Sequence, residues 1–252
     1  MLSSEKRIHN KVPEVTAVFW AIKVLSTTVG ETFADFINTN LGLGLIKTSV
    51  LFSIVLIAVL ILQMRQDRYI PALYWVVVVL MSITGTLITD FLGDQLNVSL
   101  EITSIIFGIL LVVTLATWYL REKTLSIKEV DTRSRETYYW LAILFTFSLG
   151  TSGGDMVAEK FALGYGVAWL IFAGVILVVA LLRRLNVLGS VSSFWLAYIM
   201  TRPLGASSGD YLSQAKSDGG IGLGTGATSS IFLIAIIALV GLLTWQDRRR
   251  TL

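Results

Sequence analysis

The sequence predicts an all-α integral membrane protein whose eight transmembrane helices are built from four parallel two-helix repeats around a polar centre. Three observations predict this fold. The chain of 252 residues is 54% hydrophobic and only 15% charged, whereas a soluble domain has about 45–50% apolar and about 25% charged residues. Apolar segments recur along the whole chain, and a Trp–Gly–Asp pattern recurs four times. Because the lipid interior offers no hydrogen bonds to the backbone, so many apolar blocks favour a helical bundle over a barrel.

The predicted spans each have the ~17–25 residues that a helix needs to cross ~30 Å of hydrocarbon. They cover residues 14–37, 45–63, 71–92, 100–120, 137–158, 164–182, 191–212 and 226–245. We expect no secretory signal, because the first apolar run has no small-residue cleavage site and belongs to the repeat described below. Residues 1–252 are therefore predicted to form a single transmembrane domain.

Basic residues set the predicted orientation. Most of them precede the first span or follow an even-numbered span, namely Lys6, Arg7, Lys11, Arg65, Arg68, Arg121, Lys123, Lys128, Arg133, Arg135, Arg183, Arg184, Arg248, Arg249 and Arg250. The other side of the membrane has Lys47, Lys160 and Lys216. By the positive-inside rule, both termini are cytoplasmic. The net charge of +3 is thus explained by topology, and we expect no nucleic-acid partner.

A Trp opens each odd-numbered span, a Gly follows it by ten residues, and an Asp follows that Gly by five. These positions are Trp20, Gly30 and Asp35; Trp75, Gly85 and Asp90; Trp140, Gly150 and Asp155; and Trp195, Gly205 and Asp210. The register defines four two-helix hairpins, at about 13–65, 71–121, 136–184 and 191–246, with a charged cytoplasmic linker at 121–136. An even number of spans in each unit keeps the units parallel, about an axis along the membrane normal.

A polar stripe follows each Trp in steps of four residues. Residues four apart share a helix face, and ionisable groups within a membrane face the bundle interior. The stripe predicts five ion-binding acids, two internal counter-ions and four supporting hydroxyls: Glu31, Asp35, Asp90, Asp155 and Asp210; Lys23 and Arg202; and Thr27, Ser82, Thr86 and Thr151. The odd helices should therefore line the centre, and the nearly apolar even helices should face lipid. The four repeated Trp residues are interpreted as supporting anchors at the membrane interface.

Five acids against two bases would give the stripe a charge of −3 if all were ionised, which is unfavourable in a low dielectric. Bound cations, protonation of some carboxylates, or water would each relieve this cost. Carboxylate, hydroxyl and carbonyl oxygens suit Mg²⁺, Ca²⁺ or Mn²⁺, so the four Asp residues are candidate metal ligands. A packing role for a buried Asp stays open. So does the choice, at the Gly-rich segments, between close helix approach and a broken helix.

The composition excludes several kinds of chemistry. The chain has no Cys, which excludes disulfides, thiolate metal sites, iron–sulfur clusters and Cys nucleophiles. Its single His, His9, lies in the polar N-terminal segment, so a His-ligated haem or zinc site within the membrane and a Ser-His-Asp triad lack their residues. We therefore expect no enzyme, no catalytic residue and no required cofactor.

The repeated Trp–Gly–Asp register resembles a bacterial membrane-protein family of four tandem two-helix repeats, the domain of unknown function 347 repeat. The resemblance covers about residues 13–245. It implies an eight-helix protein of the bacterial inner membrane. It implies no activity and no site residue, so the polar stripe alone carries the functional prediction.

Three functions are compatible with the stripe. The first is a secondary transporter that exports a divalent cation, with Mn²⁺ favoured and proton coupling plausible. The second is a proton-coupled transporter of a small organic solute, in which Arg202 or Lys23 binds a substrate carboxylate. The third is a membrane sensor or accessory subunit whose buried charges only fix the bundle. The expected partners are the lipid bilayer, a small ion or solute, and further copies of the chain in a homo-oligomer.

Overall fold

The computed structural model describes residues 10–250, without the side chains of Thr39, Asn40, Asp218 and Arg250. Lys6, Arg7 and His9 lie outside the described residues. The described part forms eight α-helices and no strand: α1 Ala17–Asp35, α2 Leu45–Arg65, α3 Pro71–Asp90, α4 Leu100–Glu122, α5 Arg133–Asp155, α6 Tyr165–Arg184, α7 Ser190–Ser213 and α8 Thr225–Arg250. A five-residue π-helical segment directly follows α1, α3 and α5, at Phe36–Asn40, Phe91–Gln95 and Met156–Lys160. Short 3₁₀ turns lie at Ile127–Glu129 and Lys216–Asp218.

Local sequence accounts for the starts of α1, α3 and α5. The Thr16 and Thr132 hydroxyls cap α1 and α5 by accepting hydrogen bonds from the amides of Phe19 and Arg135, as short polar side chains commonly do at this position. Pro71 occupies the first turn of α3, where its missing N–H is not needed. The repeated Trp lies between the fourth and the eighth residue of each odd helix.

Within residues 10–250, six helices are long and apolar enough to cross a membrane: α2, α3, α4, α5, α6 and α8. The protein is therefore a multi-pass membrane protein by its helix lengths and composition. Helices α1 and α7 do not reach the same apolar content, since they carry charged residues of the polar stripe and, in α7, many small polar residues.

The four odd helices form a closed ring in which α1 contacts α3, α3 contacts α5, α5 contacts α7, and α7 contacts α1. The repeated Gly of each unit faces the residue seven positions after the Trp of the next unit. These pairs are Gly30 with Ser82, Gly85 with Phe147, Gly150 with Arg202, and Gly205 with Thr27. A Cβ on any of these glycines would overlap the facing side chain, so the glycines permit close helix approach. Helices α5 and α7 run unbroken through their Gly-rich segments.

The even helices pack outside the ring, each mainly on the odd helix that follows it: α2 on α3, α4 on α5, α6 on α7, and α8 on α1. The second helix of each unit therefore packs mainly on the next unit rather than on the first helix of its own unit. The physical reason is that the odd helices use their polar and glycine faces within the ring. Their outer grooves are then filled by neighbouring apolar helices. Large apolar side chains of the even helices, such as Ile54, Leu177 and Ile234, remain exposed.

The repeated Trp residues form an aromatic layer at one end of the ring. Trp75, Trp140 and Trp195 are at most 5% exposed, and Trp20 is partly buried. The aromatic residue before each Trp contacts the Trp of the next unit, with ring centroids 5.4 Å apart for Phe19–Trp75, 5.4 Å for Tyr74–Trp140, 6.3 Å for Tyr139–Trp195 and 5.8 Å for Phe194–Trp20. The interpretation of the repeated Trp residues as anchors in the headgroup region is wrong for the three buried ones. They pack helix on helix instead.

Candidate ion-binding centre

The side chain of Arg202 joins all four odd helices near the middle of the ring. It is fully buried. From α7, its Nη2 donates to Glu31 Oε2 on α1 at 2.8 Å and to Thr151 Oγ1 on α5 at 2.7 Å. It also donates to Thr86 Oγ1 on α3, and its Nη1 donates to the Thr27 carbonyl at 3.0 Å. One guanidinium therefore ties three other helices together, with a buried carboxylate as its counter-ion.

This arrangement follows from the register of the repeat. Glu31, Thr86 and Thr151 all lie eleven residues after their Trp, and so form one layer across the ring. Arg202 lies seven residues after its Trp and extends one helical turn into that layer. Its aliphatic stem fits because Gly150 faces it, since a Cβ there would overlap Cβ and Cγ of Arg202.

Three of the five predicted acids converge beside this guanidinium. Carboxylate oxygens of Glu31, Asp155 and Asp210 all lie within 4.8 Å of one another. Glu31 and Asp210 are buried, with 6% and 7% exposure, and Asp155 is partly buried. Asp35 and Asp90 are partly buried and lie outside this group of three. Three hard oxygen donors in one place, with one cation at the side, form a candidate site for a hard divalent cation.

The carboxylates lie at a change in helix geometry. In the first three units the repeated Asp is the last α-helical residue before the π-helical segment. In the fourth unit α7 continues as an α-helix to Ser213, so Asp210 lies one turn before the helix end. Single π-helical turns often occur at functional sites. The polar stripe therefore reaches the point where the regular helix ends in three of the four units.

Lys23 lies apart from the carboxylates. Its Nζ is buried, lies 4.1 Å from the ring centroid of Phe147 and 4.2 Å from that of Tyr198, and donates no hydrogen bond within the described part of the chain. These distances are within the range of a cation–π interaction. Along the axis of the ring, the aromatic layer is followed first by Lys23, then by Arg202 and then by the carboxylates. The two cations therefore lie between the Trp residues and the acids.

Comparison with known protein families shows to which family the chain belongs. The family described as Repeat of Unknown Function (DUF347) matches residues 18–69, 73–124, 138–185 and 193–249. The chain belongs to this family. The four matches confirm the four predicted tandem repeats, and the description of the family names no activity. No significant match was found among curated proteins or among solved structures.

The supporting hydroxyls have different roles in this DUF347 chain. Thr86 and Thr151 contact Arg202 directly. The Thr27 hydroxyl donates to the Thr201 carbonyl at 3.1 Å and so joins α1 to α7. Ser82 Oγ is buried and has no hydrogen-bond partner among the described residues. The repeated Trp residues lie in the aromatic layer and do not reach the carboxylates.

One buried ion pair was missed by sequence reasoning. Lys11, which precedes α1, binds Glu136 of α5 at 2.5 Å, and its Nζ also donates to the Met64 carbonyl at 3.0 Å. Lys11 was interpreted only as a topology signal, and nothing in the spacing pairs it with Glu136. The position of Glu136, directly before the predicted span 137–158 and four residues before Trp140, was the available signal, because an acid that becomes buried there needs a partner.

Proposed function

We propose that the protein is a secondary membrane transporter that exports a divalent metal cation, with Mn²⁺ favoured. The cation would pass through the carboxylate group, by which we mean the three clustered side chains of Glu31, Asp155 and Asp210. The observation that carries the proposal is the mutual distance of at most 4.8 Å between oxygens of these three residues. Mn²⁺, Mg²⁺ and Ca²⁺ prefer such oxygen donors, whereas thiolate-selective metals do not. The export direction and the choice of Mn²⁺ are parts of the proposal that flux measurements decide.

In this proposal all eight helices cross the bacterial inner membrane and the four units run parallel, with both termini in the cytoplasm. Two recurring contacts support the arrangement: Gly against the next unit, and aromatic ring against the next Trp. Helices α1 and α7 then cross despite their charges, because those charges face the interior of the ring rather than lipid. Glu31 and Arg202 bind each other there.

The mechanism is a competition for Glu31. The Arg202 guanidinium binds Glu31 at one side of the three carboxylates and balances part of their charge. A divalent cation that binds Glu31, Asp155 and Asp210 supplies that charge itself and repels the guanidinium, so that Glu31 exchanges one partner for the other. After release, Arg202 returns or the carboxylates take up protons, which provides a route to proton coupling.

Flux in proteoliposomes tests the proposal. Vesicles with a metal-sensitive dye are exposed to Mn²⁺, Mg²⁺, Ca²⁺ and Zn²⁺, with and without a pH gradient. We expect Mn²⁺ flux in the unmodified protein, loss of flux in Asp155→Asn and Asp210→Asn, and normal flux in Asp94→Asn, whose carboxylate is exposed. Absence of flux for every metal, from protein shown to be folded, would overturn the proposal.

Proton-coupled transport of an organic anion is the second candidate, favoured by one specific observation. Lys23 Nζ and Arg202 Nε are buried and have no hydrogen-bond partner within the described residues. Either group could bind a substrate carboxylate. Stabilisation of the purified protein by organic anions, together with indifference to metals, would favour this function over cation export.

A further inference from the structure

A cleft of about 1030 Å³ opens at the Trp end of the bundle, outside the carboxylate group. Helices α1, α6 and α7 form its walls, mainly through apolar side chains such as Trp20, Val179, Phe194 and Leu204. Its lining includes Thr201, whose carbonyl joins α7 to α1. The cleft therefore extends from the helix ends to the contact between the first and fourth units.

Two segments that lie outside the α-helices complete this cleft. Residues 10–16 and 125–128 both contribute to its lining. The linker is fixed against the bundle, because Trp195 Nε1 donates to the Leu125 carbonyl at 3.0 Å and the Lys11 amide donates to the Val130 carbonyl at 3.2 Å. A charged linker of this length joins only the second and third units, so no other unit has a segment that could form the same wall.

The lining changes from polar to apolar with depth. Charged and hydroxyl side chains lie near the helix ends, where Lys128 and Arg183 outnumber the single acid Glu14, and Ser190 and Ser193 lie beside them. Farther along α7 the lining is apolar as far as Leu204, apart from the hydroxyl of Thr201. Thirteen residues of helix separate Val191 from Leu204, which is about 20 Å. That length exceeds the ~15 Å of one hydrocarbon leaflet, so the wall can accommodate an acyl chain.

We propose that this cleft is a binding site for an anionic phospholipid of the cytoplasmic leaflet. Arg183 and Lys128 bind the headgroup phosphate, for which a guanidinium offers paired donors. One acyl chain lies along the apolar wall, in contact with Trp20 and Phe194. The proposal does not depend on transport. It rests on the position of two cations at the mouth of a cleft whose interior is apolar.

Quenching of Trp20 fluorescence tests the proposal directly. Delipidated full-length protein in detergent is titrated with phosphatidylglycerol brominated on its acyl chains, and with brominated phosphatidylcholine. We expect a saturable component of quenching by phosphatidylglycerol that is lost in Trp20→Phe, where the exposed Trp169 and Trp245 account for the quenching that remains. Binding of phosphatidylcholine should be weaker. Arg183→Gln and Lys128→Gln should each weaken phosphatidylglycerol binding about fivefold, which corresponds to the usual contribution of one basic residue.

The controls keep the outcome decisive. Arg184→Gln removes a neighbouring exposed charge that is not part of the lining, and should leave binding unchanged. Ala197→Phe places bulk on the wall of the cleft without adding a Trp, and should abolish the Trp20-dependent quenching while the protein still unfolds cooperatively on heating. Equal quenching by both lipids, or equal binding in Arg183→Gln and Arg184→Gln, would overturn the proposal. Metal flux is independent of these results.

Discussion

The two buried cations of the ring differ in their surroundings, and this difference is the most informative feature at the scale of single residues. Arg202 binds a carboxylate, two hydroxyls and a carbonyl from three other helices. Lys23 contacts two aromatic faces and no carboxylate within the described residues. Sequence reasoning placed both on the polar stripe. It could not assign their partners, because the stripe gives the face of one helix and not the direction in which a long side chain extends.

The first prediction compares the removal of each charge. Arg202→Met leaves Glu31 buried without its cation, and should lower the free energy of unfolding by about 3–5 kcal/mol. Lys23→Met removes only cation–π contacts, and should lower the free energy of unfolding by less than about 2 kcal/mol. Thermal unfolding of both variants in the same detergent measures the difference. Equal losses would contradict the assignment of Arg202 as the central tie between helices.

At the scale of helices, the repeated Gly shows what the sequence could and could not predict. The sequence predicted where these glycines lie in each unit, but not whether the helix is continuous there. Their spacing fixed the register of all four units, but close approach and a broken helix stayed equally open. The structure resolves this because α5 and α7 are continuous and each Gly meets a side chain of the next unit. The packing of each even helix on the next unit was not predictable. Periodicity shows which face of a helix is apolar and does not show which neighbour covers it.

The second prediction uses two glycines of the same helix. Gly150→Ala should destabilise the protein by about 1–3 kcal/mol, because its Cβ overlaps the stem of Arg202. Gly153→Ala is the matched control, since a Cβ there meets no atom within 4 Å. It should be neutral or stabilise the helix by up to about 1 kcal/mol. The midpoint of thermal unfolding should therefore fall in Gly150→Ala, and stay the same or rise in Gly153→Ala. A similar fall in both variants would contradict the packing of Gly150 against Arg202.

At the scale of the whole molecule, four matching repeats produce a site that is not fourfold. The fourth unit supplies Arg202 and the first unit supplies Glu31. The second and third units each supply a threonine hydroxyl, from Thr86 and Thr151. Only three of the five acids converge. The repeat predicted the ring and the layers. It could not predict which side chains meet, because that depends on the substitutions at equivalent positions.

The third prediction concerns orientation. The natural chain has no Cys, so a single introduced Cys reports its own exposure without background. Asn97→Cys lies in the exposed loop between α3 and α4, and Glu129→Cys lies in the exposed linker. In intact cells a membrane-impermeant maleimide should label Asn97→Cys, whereas Glu129→Cys should react only after lysis. The reverse pattern would invert the proposed topology.

Equilibrium binding of Mn²⁺ to the purified protein tests the central proposal most directly. Loss of the free Mn²⁺ signal in electron paramagnetic resonance measures binding without any need for transport. We predict a saturable site in the unmodified protein that is lost in Asp155→Asn and in Asp210→Asn, and retained in Asp94→Asn. Competition by Mg²⁺ or Ca²⁺ would rank the three hard cations. Identical Mn²⁺ binding in Asp94→Asn, Asp155→Asn and Asp210→Asn would contradict the assignment of Glu31, Asp155 and Asp210 as the cation site.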